Sequence, residues 1–274
     1  MDCRKLEDAA SDTGRTKNKV LAIVGSPRKG DSYRIVRALE ERLTACGGVD
    51  FEYLLLKDYR VEPCRGCGLC FVRGEQYCPG KDDVAAIFRR MMDSDGVIVA
   101  TPVYSLQVTG LVKNFFDRLA FVFHRPCFFH KAFMPVVVQG VYGAHSVHKY
   151  LETGARFWGF KVCRGVSFTT LSAEAGGVIP EPVTRSIDKA AGQFHRLLND
   201  PRDPVPSFKE VAMFRGLRAW KPTLQNMFPR DYEYFKEQGW LQSDYFYEVR
   251  LSPLKRALGA FVDWYAGRMS RRLQ

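Results

Sequence analysis

The chain has 274 residues, 46% hydrophobic and 26% charged, which suffices for one domain with a buried core and an appendage. No apolar run approaches the roughly 20 residues a membrane-spanning helix needs, and the opening stretch MDCRKLEDAASDTGRTKNK lacks the apolar centre of a secretory signal. The net charge of +11 is spread along the chain with no recognisable nucleic-acid module, which argues against a nucleic-acid partner and leaves anionic cofactors, acidic electron-transfer partners or membrane lipids.

Residues 1–18 read as a polar leader, and a cytoplasmic location is expected. From residue 19 the chain alternates short apolar runs with longer amphipathic stretches. KVLAIVG (19–25) reads as a strand. DSYRIVRALEERLTAC (31–46) reads as a helix, with Ile35, Val36, Leu39 and Leu43 at helical spacing. FEYLLLK (51–57) is a second strand, and DDVAAIFRRMMDS (82–94) a second helix begun by Asp82 as cap. GVIVATP (96–102) is a fully apolar third strand, and GLVKNFFDRLAFVF (110–123) a third helix. FMPVVVQGV (133–141) and AHSVHKYLETGARFWG (144–159) repeat the pattern, as do KVCRGVSF (161–168) and PEPVTRSIDKAAGQFHRLLND (180–200). Strands that alternate with helices in this way predict a five-stranded parallel sheet covered on both faces. Ligands then bind beyond the carboxyl ends of the strands, where the strand order reverses.

Three loops therefore matter. GSPRKGDSYR (25–34), after the first strand, offers the hydroxyls of Ser26 and Ser32, the guanidinium of Arg28 and backbone N–H groups freed by Gly25 and Gly30. Those groups suit a phosphate at a helix N-terminus; an ordinary turn with a serine cap is the simpler reading. Neither G-x-x-x-x-G-K-[ST] nor G-x-G-x-x-G is present. After the third strand, Pro102, Val103, Tyr104 and Ser105 form a partly apolar edge that suits a flat ring. Gly140, Tyr142 and Gly143 give a second such edge after the fourth strand; surface packing is the simpler reading of either tyrosine alone.

Four of the eight cysteines, Cys64, Cys67, Cys70 and Cys78, fall within fifteen residues as C-x2-C-x2-C-x7-C, followed by Pro79. Bacterial ferredoxin runs use the same C-x2-C-x2-C with a later C-P. Zinc usually takes two separated pairs, and a disulfide knot conflicts with a reducing compartment. An iron–sulfur cluster, a redox dithiol of Cys64 with Cys67, and a zinc site stay open on spacing alone. The five histidines form no metal-ligand pattern; His145 and His148 lie near the third loop.

The motifs GSPRKGDS, CRGCGLC and DSDGVIVATPVYSLQVTGLVKNFFDR, in that order, resemble the NADPH-dependent FMN reductase group of flavodoxin-like proteins, and within it the iron–sulfur flavoproteins. The resemblance covers about residues 19–200. It implies a flavodoxin-like three-layer fold with strand order 2-1-3-4-5. FMN would be held by phosphate contacts from Ser26, Arg28 and Ser32, with Gly30 and Tyr33 in the same loop. Ring contacts would come from Pro102, Val103, Tyr104 and Ser105 and from Gly140, Tyr142 and Gly143. It further implies a [4Fe–4S] cluster on Cys64, Cys67, Cys70 and Cys78, in a loop over residues 61–80. NAD(P)H would be a substrate, a small molecule or ferredoxin an electron partner, and the assembly a homodimer or homotetramer. No side-chain acid or base is then required. A NAD(P)H-dependent FMN or quinone reductase without a cluster, and a non-enzymatic electron carrier or redox sensor, are the competing readings.

PRDPVPSF (201–208) reads as a boundary. Beyond it, residues 201–274 are expected to form a helical, aromatic-rich extension for packing, oligomerisation or a pocket lid. SPLKRALGAFVDWYAGRMSRRLQ (252–274) reads as a helix capped by Ser252 with Pro253 at its first position. Its stripe of Leu254, Leu258, Phe261, Tyr265 and Met269 is expected to pack on its own domain or a second subunit; its basic residues also suit peripheral contact with an anionic membrane.

Overall fold

The computed structural model of the protein describes residues 17–170 and 179–270. Most of the expected leader, Cys3 within it, and Arg271 and Arg272 lie outside the described residues. In chain order the strands are β1 (Asn18–Val24), β2 (Val49–Leu55), β3 (Gly96–Pro102), β4 (Ala132–Gln139), β5 (Lys161–Val162) and β6 (Val166–Thr169). The helices are α1 (Asp31–Ala45), α2 (Leu69–Val72), α3 (Val84–Met92), α4 (Gly110–Arg118), α5 (Ala120–His124), α6 (Ala144–Phe157), α7 (Glu181–Asn199), α8 (Phe208–Trp220), α9 (Pro229–Glu237) and α10 (Pro253–Ser270). The chain divides into two units, one of residues 17–65 and 80–202, the other of residues 66–79 and 203–270.

The first unit is the flavodoxin-like α/β fold. Val20 to Val24 and Val97 to Ala100 are buried at every position. A strand whose two faces are both buried needs helices on both sides, and it shows no polar alternation. The sheet is parallel throughout, in the order β2-β1-β3-β4-β5, with β6 also pairing to β4. On one face Val20, Ala22, Ile98, Ala100, Met134 and Val136 pack with Ile35 and Leu39 of α1 and Ile187 and Phe194 of α7. The order reverses between β1 and β3, at the carboxyl ends where the sequence placed the ligand.

The expected fifth strand is split. β4 pairs Phe133 with Val162 and resumes pairing at Val136 with Val166, so three residues of the edge strand oppose two of β4. The cause is Pro135, which has no N–H to give its neighbour. The edge strand bulges past it. Gly165 sits at the bulge, where a Cβ would stand 1.9 Å from the Pro135 carbonyl oxygen.

The second unit is helical. Ser207 and Glu210 form a reciprocal cap at the start of α8. Its core is aromatic: Phe214, Phe235, Trp240 and Phe246 meet edge to face, and the Trp240 indole donates to the Phe246 carbonyl at 2.8 Å. Of the aromatic residues of this extension, Tyr234, Phe235, Tyr245 and Phe246 are buried in this core. The stripe of α10 differs from expectation. Gly259 and Ala266 are its buried positions, while Leu254, Phe261 and Tyr265 are exposed. Arg215 and Arg218 of α8 both reach Asp263, and a Cβ at Gly259 would stand 3.0 Å from the Arg215 side chain. Small residues and an ion-pair network therefore join α10 to α8, and the large aromatics face outward.

Candidate functional site

The loop after β1 begins at Gly25, which is locked to its neighbours. Its N–H donates to the Ala100 carbonyl at 2.7 Å, and its own carbonyl accepts from the Thr109 hydroxyl at 2.7 Å. A Cβ there would stand 2.1 Å from Val112 Cγ2. Thr109 also caps α4, accepting from the Val112 N–H at 3.3 Å. The loop after β1 and the start of α4 are thus one assembly.

Ser26 and Ser32 are buried. The Ser26 hydroxyl accepts from the Arg28 N–H at 3.3 Å and so shapes the turn. The expected serine cap is absent: Gly30 is the cap residue of α1, and no side chain bonds to the helix end. The first N–H groups of that helix therefore point outward with the positive end of its dipole. Arg28 is exposed beside them and forms no ion pair with any described residue. Tyr33, half-buried, packs against Tyr53 with ring centroids 5.2 Å apart.

The loop after β3 is a tight turn. Tyr104 and Gln107 exchange two backbone hydrogen bonds of 2.9 Å each. Ser105 and Leu106 between them are both left-handed, with φ of 47° and 65°. Each such non-glycine residue costs on the order of 1–2 kcal/mol, and strain of this kind concentrates at ligand clamps. The loop after β4 touches this turn. Gly143 is left-handed at φ 106°, and a Cβ on it would stand 2.9 Å from Val103 Cγ1. Gly140 is open to solvent. Tyr104, Leu106, Val141 and Tyr142 stand exposed around this junction. Four large apolar side chains left in water on two touching loops are the kind of patch that covers a ligand. All twelve residues expected at a mononucleotide thus belong to one unit and lie at the carboxyl ends of β1, β3 and β4: nine in the loops, Pro102 at the end of β3, and Ser32 and Tyr33 in the first turn of α1.

The cysteine loop is closed at its base by a pair the sequence reading missed. Arg118, at the end of α4, and Asp82 form an ion pair with side chains only 4% and 1% exposed. Arg118 also donates to the Glu62 carbonyl at 3.0 Å and the Gly80 carbonyl at 3.4 Å. Asp82 accepts from the Glu62 N–H at 2.8 Å and from the Val84 N–H at 3.4 Å. Asp82 is thus chiefly the partner of a buried guanidinium, and Asp83 holds the cap position of α3. Burial by itself pushes the Asp82 carboxyl up; Arg118 and the two N–H groups outweigh it and hold the carboxyl below its usual range. A Cβ at Gly80 would stand 2.5 Å from the guanidinium. No local signal in the sequence announces this pair, because its members lie 36 residues apart.

Seven cysteines lie among the described residues. Cys64 and Cys67 are exposed, and Cys70 and Cys78 are half-exposed. Cys64 belongs to the first unit and the other three to the second. Gly66 and Gly68, between the first three cysteines, are both left-handed with no atom within 4 Å of a Cβ position. Among the described residues no group of three or more His, Cys, Asp or Glu side chains is close enough to hold a metal ion. A four-iron cluster takes one thiolate on each iron, so its ligands stand further apart than those of a single ion. Four sulfur donors in one short, partly exposed segment, on backbone relieved by Gly66 and Gly68, fit such a donor set by their chemistry.

A family model of NADPH-dependent FMN reductases matches residues 18–174. The chain belongs to that family. Its members are FMN-dependent oxidoreductases, and that is the enzyme class of this chain. An iron–sulfur flavoprotein of Archaeoglobus fulgidus is 30% identical over 226 residues, covering 81% of this chain and 100% of the relative. An iron–sulfur flavoprotein of Clostridioides difficile is 27% identical over 222 residues, covering 79% of this chain and 94% of the relative. Among solved structures, RosB with bound 8-demethyl-8-formylriboflavin-5'-phosphate superposes with a TM-score of 0.53 at 14% identity, over 86% of this chain and 92% of that one. At that identity the likeness is one of fold.

Proposed function

We propose that this protein binds FMN across the loops after β1, β3 and β4, carries a [4Fe–4S] cluster on Cys64, Cys67, Cys70 and Cys78, and passes electrons between NAD(P)H or a reduced protein such as ferredoxin and a small-molecule or protein acceptor. The observation that carries the reading is the junction of three loops at the switch point of the sheet. One loop offers an uncapped helix N-terminus with a free guanidinium, and the other two offer exposed rings. The FMN phosphate would lie against the N–H groups that open α1, with Arg28, Ser26 and Ser32 around it. The isoalloxazine would lie along Pro102–Ser105 and against Gly140, Tyr142 and Gly143, where glycine lets a ring approach the backbone.

A bound flavin would supply two-electron chemistry and a cluster one-electron chemistry. The protein's part is to hold the phosphate and to exclude water from the ring with Tyr104 and Tyr142. The cysteine spacing and the names of the relatives support the cluster. A cytoplasmic location and a homo-oligomer belong to the same reading, as does the division into an FMN-binding domain over 19–200 and an extension over 201–274.

The test is anaerobic mixing of the FMN-loaded protein with NADPH, NADH and reduced ferredoxin. Loss of the flavin band within turnover time, with iron and sulfide near four per chain, supports the proposal. Flavin reduction without iron would instead make it a cluster-free NAD(P)H-dependent reductase. No flavin reduction by any donor would refute it.

A further inference from the structure

We propose that a groove between α6 and the edge of the sheet is a second binding site, apart from the flavin cradle, for the phosphate monoester of a small organic molecule. The groove encloses about 580 Å³ and lies within the first unit, in the range of small-molecule sites, roughly 300–1,000 Å³. One wall is a single face of α6. His145, His148, Lys149, Glu152, Thr153 and Arg156 follow at steps of three and four, a length of about 16 Å at 1.5 Å per residue. The other wall is the bulge in the edge strand, Cys163 to Gly165, with Ser167 beyond it.

The bulge makes the groove. The Cys163 N–H still donates to the Phe133 carbonyl at 3.0 Å; beyond it, because Pro135 cannot donate to its neighbour, the edge strand leaves the ladder at Arg164 and Gly165 and sets Arg164 beside α6. Lys149 and Arg164 face the groove from different elements and are both exposed. Neither forms an ion pair with any described residue, whereas neighbouring surface cations of the same unit do, Lys113 with Asp117 and Arg185 with Glu181 among them. Arg156 adds a third cation and Glu152 the one carboxylate. Two unmatched cations across a concavity favour a multiply charged anion, and the guanidinium fork matches phosphate oxygens. Across the groove, from α6 to the edge strand, the His148 ring meets the Ser167 hydroxyl at 2.8 Å. Burial holds that imidazole's pKa down at about 4, so it is neutral at pH 7 and serves as a hydrogen-bond partner. Glu152 supplies an acceptor for a sugar hydroxyl. Concavity, mixed polarity and this charge balance suit a nucleotide-sized monoester better than a flat protein surface.

Isothermal titration of the full chain at low salt, with FMN present, tests the site using 2′,5′-ADP, inorganic phosphate and adenosine as probes. Saturable one-to-one binding of 2′,5′-ADP is expected, weakened at least tenfold in Lys149→Ala/Arg164→Ala, about the worth of one charge-assisted hydrogen bond. Competition by inorganic phosphate would show that the phosphate group itself is recognised; failure to compete, with the nucleotide still bound, would show that the sugar and base are needed as well. Arg164→Lys keeps the charge and should restore part of the affinity. The proposal is overturned if neither phosphate compound binds saturably, if the double variant binds 2′,5′-ADP as tightly as the parent, or if adenosine binds as tightly as 2′,5′-ADP. Neither residue belongs to the flavin cradle, so FMN content of the double variant should be unchanged, and failure here would leave the flavin reading standing.

Discussion

Replacing Arg118 with alanine should be among the most damaging single changes in the α/β unit. Its side chain and that of Asp82 are only 4% and 1% exposed, so the loss leaves a buried carboxylate without its cation. The Glu62 and Val84 N–H groups remain as donors, but the Glu62 and Gly80 carbonyls lose theirs. Removing one member of a buried pair costs about 3–5 kcal/mol. At about 2–4 °C per kcal/mol for a unit of this size, the melting temperature should fall by about 6–20 °C. The measurement is urea and thermal unfolding of Arg118→Ala, Asp82→Asn and the double variant Arg118→Met/Asp82→Asn. The double variant should recover a large share of the loss, because it leaves no unmatched charge. Arg118→Ala costing less than about 1 kcal/mol, the range of a surface pair, would refute the reasoning, as would strictly additive single changes. The depressed Asp82 carboxyl gives the same pair a pH signature. Its stabilisation is present above the ordinary carboxylate pKa of about 3.9 and is lost as pH falls below it; Asp82→Asn should remove that acid-side loss.

Arg28→Ala should weaken FMN retention by about 1.5–3 kcal/mol, the range of a hydrogen bond to a charged group, read by fluorescence titration of the apoprotein. Gly25→Ala should cost about 1–3 kcal/mol through overpacking, because its Cβ would stand 2.1 Å from Val112 Cγ2; an unchanged unfolding midpoint would contradict this. Cys67→Ser and Cys70→Ser should lose iron and sulfide while keeping flavin, as measured by parallel cofactor assays. The low His148 pKa, about 4, means the folded state resists a proton the unfolded chain accepts. Stability should therefore fall between pH 6.5 and about 4, and His148→Gln should flatten that slope when unfolding midpoints are compared across it.

The α/β architecture was legible because its signals are local. The apolar runs of β1 and β3 and the stripe of Ile35, Val36, Leu39 and Leu43 identify their own elements, and strict alternation implies the parallel sheet. The loops could be placed because the topology decides where strands end. What stayed hidden depends on pairs far apart in sequence. Pro135 splits a strand about 30 residues later, and Arg118 recruits Asp82 away from a capping role suggested by its neighbours. The face of α10 was misread because periodicity marks large apolar residues. The residues that join it to α8, Gly259, Asp263 and Ala266, are small or charged, and the aromatic stripe stands exposed. Around these loops, the left-handed turn at Ser105 and Leu106 carries no glycine that would announce it, and the bond from Thr109 to Gly25 joins residues 84 apart, which no local pattern links.

The measurement that bears most directly on the account is titration of the freshly prepared apoprotein with FMN, followed by flavin fluorescence and by the visible spectrum under anaerobic conditions. The account predicts saturation at one FMN per chain, with binding weakened in Arg28→Ala. A parent protein that is colourless and leaves the fluorescence of added FMN unchanged at every concentration would contradict it.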